Sequence, residues 1–440
     1  MAAQKGMIYI IFFIMNSTLC LSVYALDWLI YASVHDPQEQ KSKNGIYYGA
    51  MDVVNGTASD LAIGGVYCAN MRSAGFHEGY MINSMGYDPY SSRAVVQMRT
   101  NSFERASVFT TKVCERAAPK CKEPNIINVI FAQGDTKRKN SNVGPFAMWN
   151  NTIYFIANMY EKAPQKTIIH RIELRRMEGC ERRQPFTLLN AFDIEACSSF
   201  VTVVAEEVGA DLNFNMEDKL VVARQLYIIE RMGQLQFVIQ ILNQTFDDYY
   251  DVVKFSMLLF TASENSKSRV LHEEALPDAF AEHEIANLGG IDYREGNLCW
   301  SMLDRILCAQ WNGQGRIRRI RRVVESGGAA QVCSVTRWKG EKVKTSQYSN
   351  ITTGVVISKI DRRDITLLFG CFSSEGGQGG AGVVTLPSFG KPSEILPLMD
   401  SKGKIYAGAM MVGCKQEPSA SSINIVDKLF LFTVILYLLS

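Results

Sequence analysis

EGNLCWSMLDRILCAQW, residues 295–311, holds two short apolar runs separated by a polar turn. Glu295 and Gly296 open a turn, Leu298, Cys299 and Trp300 are strand formers, and Leu303-Asp304 folds the chain back. That hairpin would set Cys299 directly opposite Cys308, close enough to bridge, although each cysteine could instead pair elsewhere. The opening of this stretch, a turn residue followed by about five strand residues, recurs along the chain. It reads KNGIYYGA at 43–50, NNTIYFIA at 150–157, EDKLVVAR at 217–224, EGNLCWSM at 295–302 and KGKIYAGA at 402–409. The two widest gaps each have room for one degenerate copy, near 94–98 and 353–358.

Segments with helical period are scarce, and runs rich in Val, Ile, Tyr and Phe bounded by Gly, Asn and Asp dominate. The expected class is all-β. A phrase repeated seven times at about 50 to 60 residues predicts a β-propeller of seven blades braced by disulfides. A pair of β-sandwiches would also have short strands, but gives no reason for one phrase to recur across the chain. Residues 275–288 (ALPDAFAEHEIANL) form the best helical candidate, an insertion between strands.

Both ends are apolar. MIYIIFFIMNSTLCL at 7–21 follows Lys5 and leads to Val23-Tyr24-Ala25, the layout of a secretory signal over residues 1–25. LFLFTVILYLL at 429–439 is too short for a comfortable bilayer span and follows small residues at Ser419–Ser422. That order predicts a glycolipid (GPI) anchor signal over 417–440 with attachment at Ser419, against a short tail helix or a terminal strand. The remainder, 26–416, is expected to be one ectodomain on the outer face of the plasma membrane. Of eleven cysteines, Cys20 falls in the signal and leaves an even number, as an oxidising compartment requires. Cys114 and Cys121 are further disulfide candidates. Sequons at Asn55, Asn150, Asn243 and Asn350 suit a glycosylated protein.

The middle of the chain resembles a known family. The aromatic strand Ile153-Tyr154-Phe155-Ile156, then TIIHRIELRRMEGC (167–180) with Arg171-Ile172 and Cys180, then FDIEAC ending at Cys197, is similar to the sema domain of semaphorins and plexins. EDKLVVARQL and FVIQILN are similar to that family's next two strands. The resemblance implies a seven-bladed extracellular propeller, Cys180 and Cys197 as disulfide cysteines, and a protein partner such as another sema-like domain. A fainter likeness, GIDYREGNLCWSMLDRILCAQWNGQGRIRRI at 290–320, looks like one blade of a lipoprotein-receptor type propeller.

Composition excludes little by itself. Charged residues are 20% and the net charge is +2, so no overall field selects nucleic acid, and none is expected as a partner. There is no Gly-x-Ser-x-Gly, phosphate loop or His-Glu-x-x-His, and only five histidines. His272-Glu273-Glu274 and Glu282-His283-Glu284 lie too far apart across Pro277 to share a helix face, and read as a solvated acidic insertion. GQGGAG (377–382) is followed by VVTLPSFGKP, which reads as strand, so the glycines mark a hairpin loop rather than a nucleotide site. RIRRIRR is the densest charge: Arg316, Arg318, Arg319, Arg321 and Arg322 are candidate contacts for a heparan-type glycan or an acidic partner. Ile317 and Ile320, three apart, cannot share a strand face without a bulge.

The expectation is therefore a non-enzymatic, lipid-anchored surface receptor or ligand of semaphorin or plexin type, with no cofactor. The alternatives are a propeller enzyme or small-ligand binder with a site in the axial channel, and a structural coat protein.

Overall fold

Runs of β-branched and aromatic residues cut by Gly, Asn and Asp form 25 strands among the described residues. The computed structural model describes residues 28–32, 45–52, 57–59, 69–70, 81–88, 93–99, 105–115, 118–130, 140–150, 152–162, 167–177, 201–205, 219–246, 252–263, 266–276, 290–302, 305–325, 350–361, 363–373, 379–397 and 409–413. The chain divides into a unit of Trp28–Cys414 and a unit of Met1–Asp27 with Lys415–Ser440. The second unit, with the secretory segment, Ser419 and the C-terminal apolar run, lies outside the described residues. Among the described residues there is no helix long and apolar enough to cross a membrane.

The strands form six antiparallel sheets among the described residues. In the first, β1 (Trp28–Ala32), β2 (Gly45–Asp52), β3 (Thr57–Ser59) and β4 (Ala69–Asn70) are joined by the last strand, β25 (Ala409–Gly413), in the order β25-β1-β2-β3 with β4 also on β2. The other five are simple meanders. The second holds β5 (Met81–Asp88), β6 (Arg93–Arg99), β7 (Arg105–Glu115) and β8 (Ala118–Ile130), and the third β9 (Asn140–Trp149), β10 (Thr152–Lys162), β11 (Thr167–Met177) and β12 (Val201–Ala205). The fourth holds β13 (Lys219–Arg231), β14 (Gln234–Phe246), β15 (Val252–Ser263) and β16 (Ser266–Ala275). The fifth holds β17 (Ile291–Arg294), β18 (Asn297–Ser301), β19 (Ile306–Gln310) and β20 (Arg318–Val324). The sixth holds β21 (Asn350–Asp361), β22 (Asp364–Ser373), β23 (Gly379–Leu386) and β24 (Leu396–Pro397).

First strands pack on first strands. β5 meets β9, β9 meets β13, β13 meets β17, β17 meets β21, β21 meets β25 and β25 meets β5, which closes a ring. This is a propeller-like, all-β arrangement.

Six sheets among the described residues stand where seven repeats were expected. The first and last phrases belong to one sheet, because residues 43–50 run into β2 and residues 402–409 run into β25, and both strands flank β1. The phrase also changes place within the meander: it falls on the first strand at β13 and β21 but on the second at β6, β10 and β18. It marks a strand that follows a tight turn, not one fixed position per sheet. Residue 275, the start of the expected helix, closes β16, and residues 277–288 lie outside the described residues.

The core lies between neighbouring sheets. In β14 the odd positions Phe237, Ile239 and Ile241 pack towards Tyr154, Ile156 and Leu174 of the third sheet. The even positions Val238 and Leu242 pack with Leu298, Trp300 and Trp311 of the fifth. A strand buried on both faces needs an apolar run rather than alternation, and β14 has one. Its buried Gln240 donates from Nε2 across the gap to the Ser301 carbonyl at 2.5 Å. Gly382 is required where it stands: a Cβ there would lie 2.7 Å from the ring of Phe369, its register partner on β22. Gly290 is tighter still, with a Cβ falling 2.3 Å from the Val355 nitrogen.

Candidate anion-binding site

The loop from β19 to β20 is built from WNGQGRI. Trp311 is 2% exposed and anchors its start: the backbone nitrogen donates to the Gly296 carbonyl at 2.8 Å, and the indole stands edge-on to Tyr293 at 5.9 Å. Asn312 Oδ1 accepts from Gln314 N at 3.0 Å, an Asx turn, and Gly313 and Gly315 take the positive φ angles the reversal needs. Ile317 then packs against the core that holds Trp311, which leaves Arg316, Arg318 and Arg319 exposed. β20 carries the required bulge. Gln310 pairs with Arg318 and Cys308 with Arg321, so β20 has one extra residue, and Arg319 takes φ +52°. The bulge turns Ile320 outward, 41% exposed, instead of partly burying it.

The sixth sheet supplies the facing wall. Arg363, at φ +82° in the turn between β21 and β22, is exposed. Beyond β23 the chain leaves the sheet at Pro387, so PSFGKP is loop where the sequence suggested strand. Arg321 donates from Nη1 to the Pro387 carbonyl and from Nη2 to the Gly390 carbonyl at 2.5 Å, bracketing Phe389. Asp364 Oδ1 accepts from the Ser388 nitrogen at 2.7 Å and from its hydroxyl at 3.2 Å. Phe389 is 82% exposed.

Between these walls lies a groove of about 1050 Å³, lined by Arg316, Arg318, Arg319, Arg321, Arg363 and Phe389, with Glu295 the one acidic side chain in its lining. Glu295 is already engaged by Arg294 Nε at 3.5 Å. Among the described residues no carboxylate comes within 4.0 Å of Arg316, Arg318, Arg319 or Arg363. Clustered guanidinium groups without counter-charges repel one another and favour an anion, whose bidentate recognition suits their planar donors.

Arg322 is not part of this lining. A second bulge, where Leu307 pairs with Arg322 but Ile306 with Val324, inserts the buried Val323, and Arg322 reaches Glu274 Oε1 at 3.4 Å, the oxygen that also accepts from Arg305 at 2.6 Å. His272 joins the same glutamate through Nε2 at 3.1 Å, so His272 and Glu274 belong to an ion network, with Glu273 accepting from Ser256 at 3.3 Å. Glu282, His283 and Glu284 lie outside the described residues, and no group of three metal-ligating side chains occurs among those described.

The inner strands carry different chemistry. Asp88 on β5 and Arg224 on β13 are fully buried, and desolvation lowers the Arg224 guanidinium to about 9. Asp292 on β17 joins three sheets: Oδ1 accepts from the Tyr227 hydroxyl at 2.6 Å and from Tyr293 N at 2.9 Å, and Oδ2 from Ile357 N at 2.7 Å. Burial, and then the charge of Asp292, push the Tyr227 hydroxyl well above its usual range.

Cys299 and Cys308 are register partners and are joined, sulfurs 2.07 Å apart, behind the hairpin closed by Met302 N to Arg305 O at 2.7 Å. Cys114 on β7 is in register with Pro119, two residues before Cys121 on β8. Cys180 and Cys197 lie outside the described residues. Asn150 is exposed at the β9–β10 turn. Asn243 is 7% exposed inside central strand β14, between Val221 and Ser256. Asn350 opens β21, and Asn55 lies outside the described residues.

No family model and no curated protein matches the chain. Similar solved structures include a thermostable family-43 glycoside hydrolase, 9% identical with a TM-score of 0.34, over 78% of this chain and 96% of that one. An alpha-L-arabinofuranosidase from Lactobacillus brevis is 8% identical with a TM-score of 0.35, over 74% of this chain and 94% of that one. A levansucrase from Bacillus subtilis is 8% identical with a TM-score of 0.36, over 78% and 91%. At those identities no residue role passes from them to this chain.

The sema resemblance, and with it the expectation of a non-enzymatic semaphorin- or plexin-type receptor, is corrected: no family model matches the chain, and the similar structures are glycoside-processing enzymes rather than sema domains, at TM-scores too low to lend this chain their activity. Of the residues that carried the resemblance, 153–156 and 167–177 lie on the neighbouring strands β10 and β11. An aromatic strand beside a basic one describes a four-stranded meander in general, so the pattern reported a sheet and not a family.

Proposed function

We propose that this protein is a six-bladed propeller, its fifth blade braced by Cys299–Cys308, that binds an acidic saccharide in the groove between its fifth and sixth sheets. The observation that carries the reading is five arginines lining one groove of about 1050 Å³ beside a single, already paired glutamate. That volume is at the upper end of ligand sites, about 300–1,000 Å³, and suits a ligand of several rings. Carboxylate or sulfate groups on such a chain supply the missing counter-charge, in the two-pronged geometry that arginine favours. The groove lies at the outer strand β20 and the connecting turns, away from the ring of first strands, so the axial channel is not its location.

Heparin-derived octasaccharide, titrated calorimetrically, is the test. Binding should weaken with rising salt, and the double substitution Arg318→Glu with Arg319→Glu should lower affinity at least about tenfold, the loss of roughly 1.4 kcal/mol. An uncharged oligosaccharide of the same length should not compete. Undiminished binding by the charge-reversed protein would exclude the groove. Following the length of the bound octasaccharide over time distinguishes a retained ligand from a cleaved substrate.

A further inference from the structure

Phe389 has no folding role that explains its position. It is 82% exposed, yet the loop that carries it is fastened throughout. Arg321 holds the carbonyls on both sides of it, at Pro387 and Gly390, and Asp364 holds Ser388. Further along, Ser393 N donates to the Thr385 carbonyl at 2.8 Å, and Thr385 N donates to the Ser393 hydroxyl at 2.9 Å, which closes the loop at its base. Gly390, at φ +97°, lets the chain turn back directly after the ring. A loop so tied fixes an aromatic ring in water at the edge of a cationic groove, where mere folding would favour burying it.

We infer that Phe389 is a specificity-determining residue of the groove, stacking on the apolar face of a pyranose ring while the arginines hold the acidic substituents. The inference rests on the acidic-saccharide reading and deepens it. Charge alone accepts any polyanion. A ring face beside the charges selects polyanions that also present a flat apolar surface, as a sugar ring does through its axial C–H groups. The positioning residue is Arg321: its guanidinium is spent on the loop carbonyls, so it sets where the ring stands.

The test compares two probes, heparin-derived octasaccharide and inorganic polyphosphate of similar charge, on the whole protein. Phe389→Ala should weaken octasaccharide binding about tenfold, the scale of one lost aromatic contact, and leave polyphosphate binding unchanged. Phe389→Trp should retain the preference. Arg321→Lys keeps the charge but lacks the fork, and should reduce the preference for octasaccharide over polyphosphate. Equal loss for both probes, or no loss for either, in Phe389→Ala overturns the inference. If instead the Arg318/Arg319 charge reversal leaves octasaccharide binding intact, the groove itself is excluded whatever Phe389 does. Because Phe389 is exposed, its variants should melt with the wild type, and that check separates a binding effect from a folding one.

Discussion

Asn in place of Asp292 keeps the shape of the side chain and reverses the polarity of one of its two terminal groups. Oδ1 takes hydrogen bonds from Tyr227 and Tyr293 and Oδ2 takes one from Ile357, all donors. Whichever way the new amide turns, its NH₂ meets an N–H or O–H that needs an acceptor. At least one hydrogen bond to a charged group is lost, about 1.5–3 kcal/mol, and a donor is left without its acceptor in a partly buried place. We expect Asp292→Asn to lower unfolding free energy by about 3 kcal/mol in urea titration, and Asp292→Ala by more. Tyr227→Phe removes one of the three donors, and a double-mutant cycle with Asp292→Asn should give a coupling of about 1–2 kcal/mol. A loss under about 1 kcal/mol for Asp292→Asn would refute the idea that this carboxylate ties three sheets together. The same pair sets a pH dependence. The folded Tyr227 hydroxyl holds its proton above the pH at which the unfolded one, with a normal value near 10, releases it. The unfolded state then binds fewer protons, so stability present below about pH 10 declines as pH rises further. Tyr227→Phe should flatten that decline.

Cys299→Ser with Cys308→Ser opens a crosslink between residues nine apart in sequence, and chain entropy puts the cost at about 2–3 kcal/mol, measurable as a lower urea midpoint at an unchanged slope. Gly290→Ala sets a Cβ 2.3 Å from the Val355 nitrogen, a backbone atom that cannot swing aside, and should cost more than about 3 kcal/mol or prevent soluble expression; wild-type stability in this variant would show that the fifth and sixth sheets separate easily there.

Much of the local structure was legible in residues 295–311, because turn chemistry and strand length fix a hairpin's register within itself. The same hairpin logic does not give the number of sheets. Residues 43–50 and 402–409 look like two repeats, but pairing through β1 makes them one sheet, and nothing local to either phrase records that pairing. The arginine run at 316–322 was visible as charge, and the isoleucine spacing required a bulge. Which arginines face one groove was not visible: the bulges at Arg319 and Val323 send Arg322 to Glu274, and a sheet from elsewhere in the chain brings Arg363 and Phe389. A signal for Phe389 existed, since an aromatic residue between Ser388 and Gly390 in a Pro-flanked turn has little reason to be there for folding. Asn243 shows the opposite limit, as a sequon motif carries no information on the burial of its strand.

The pairing of β25 with β1 also governs the order of events when the chain is made. Residues 28–32 leave the ribosome long before residues 409–413, almost the whole length of the unit later, can cover their second edge. Until then the nascent protein presents an open strand edge, the feature most prone to pairing with a neighbouring chain. Closure of such a long-range pair is slow for entropic reasons and comes last. A chain stopped short of Ala409 would keep that edge uncovered.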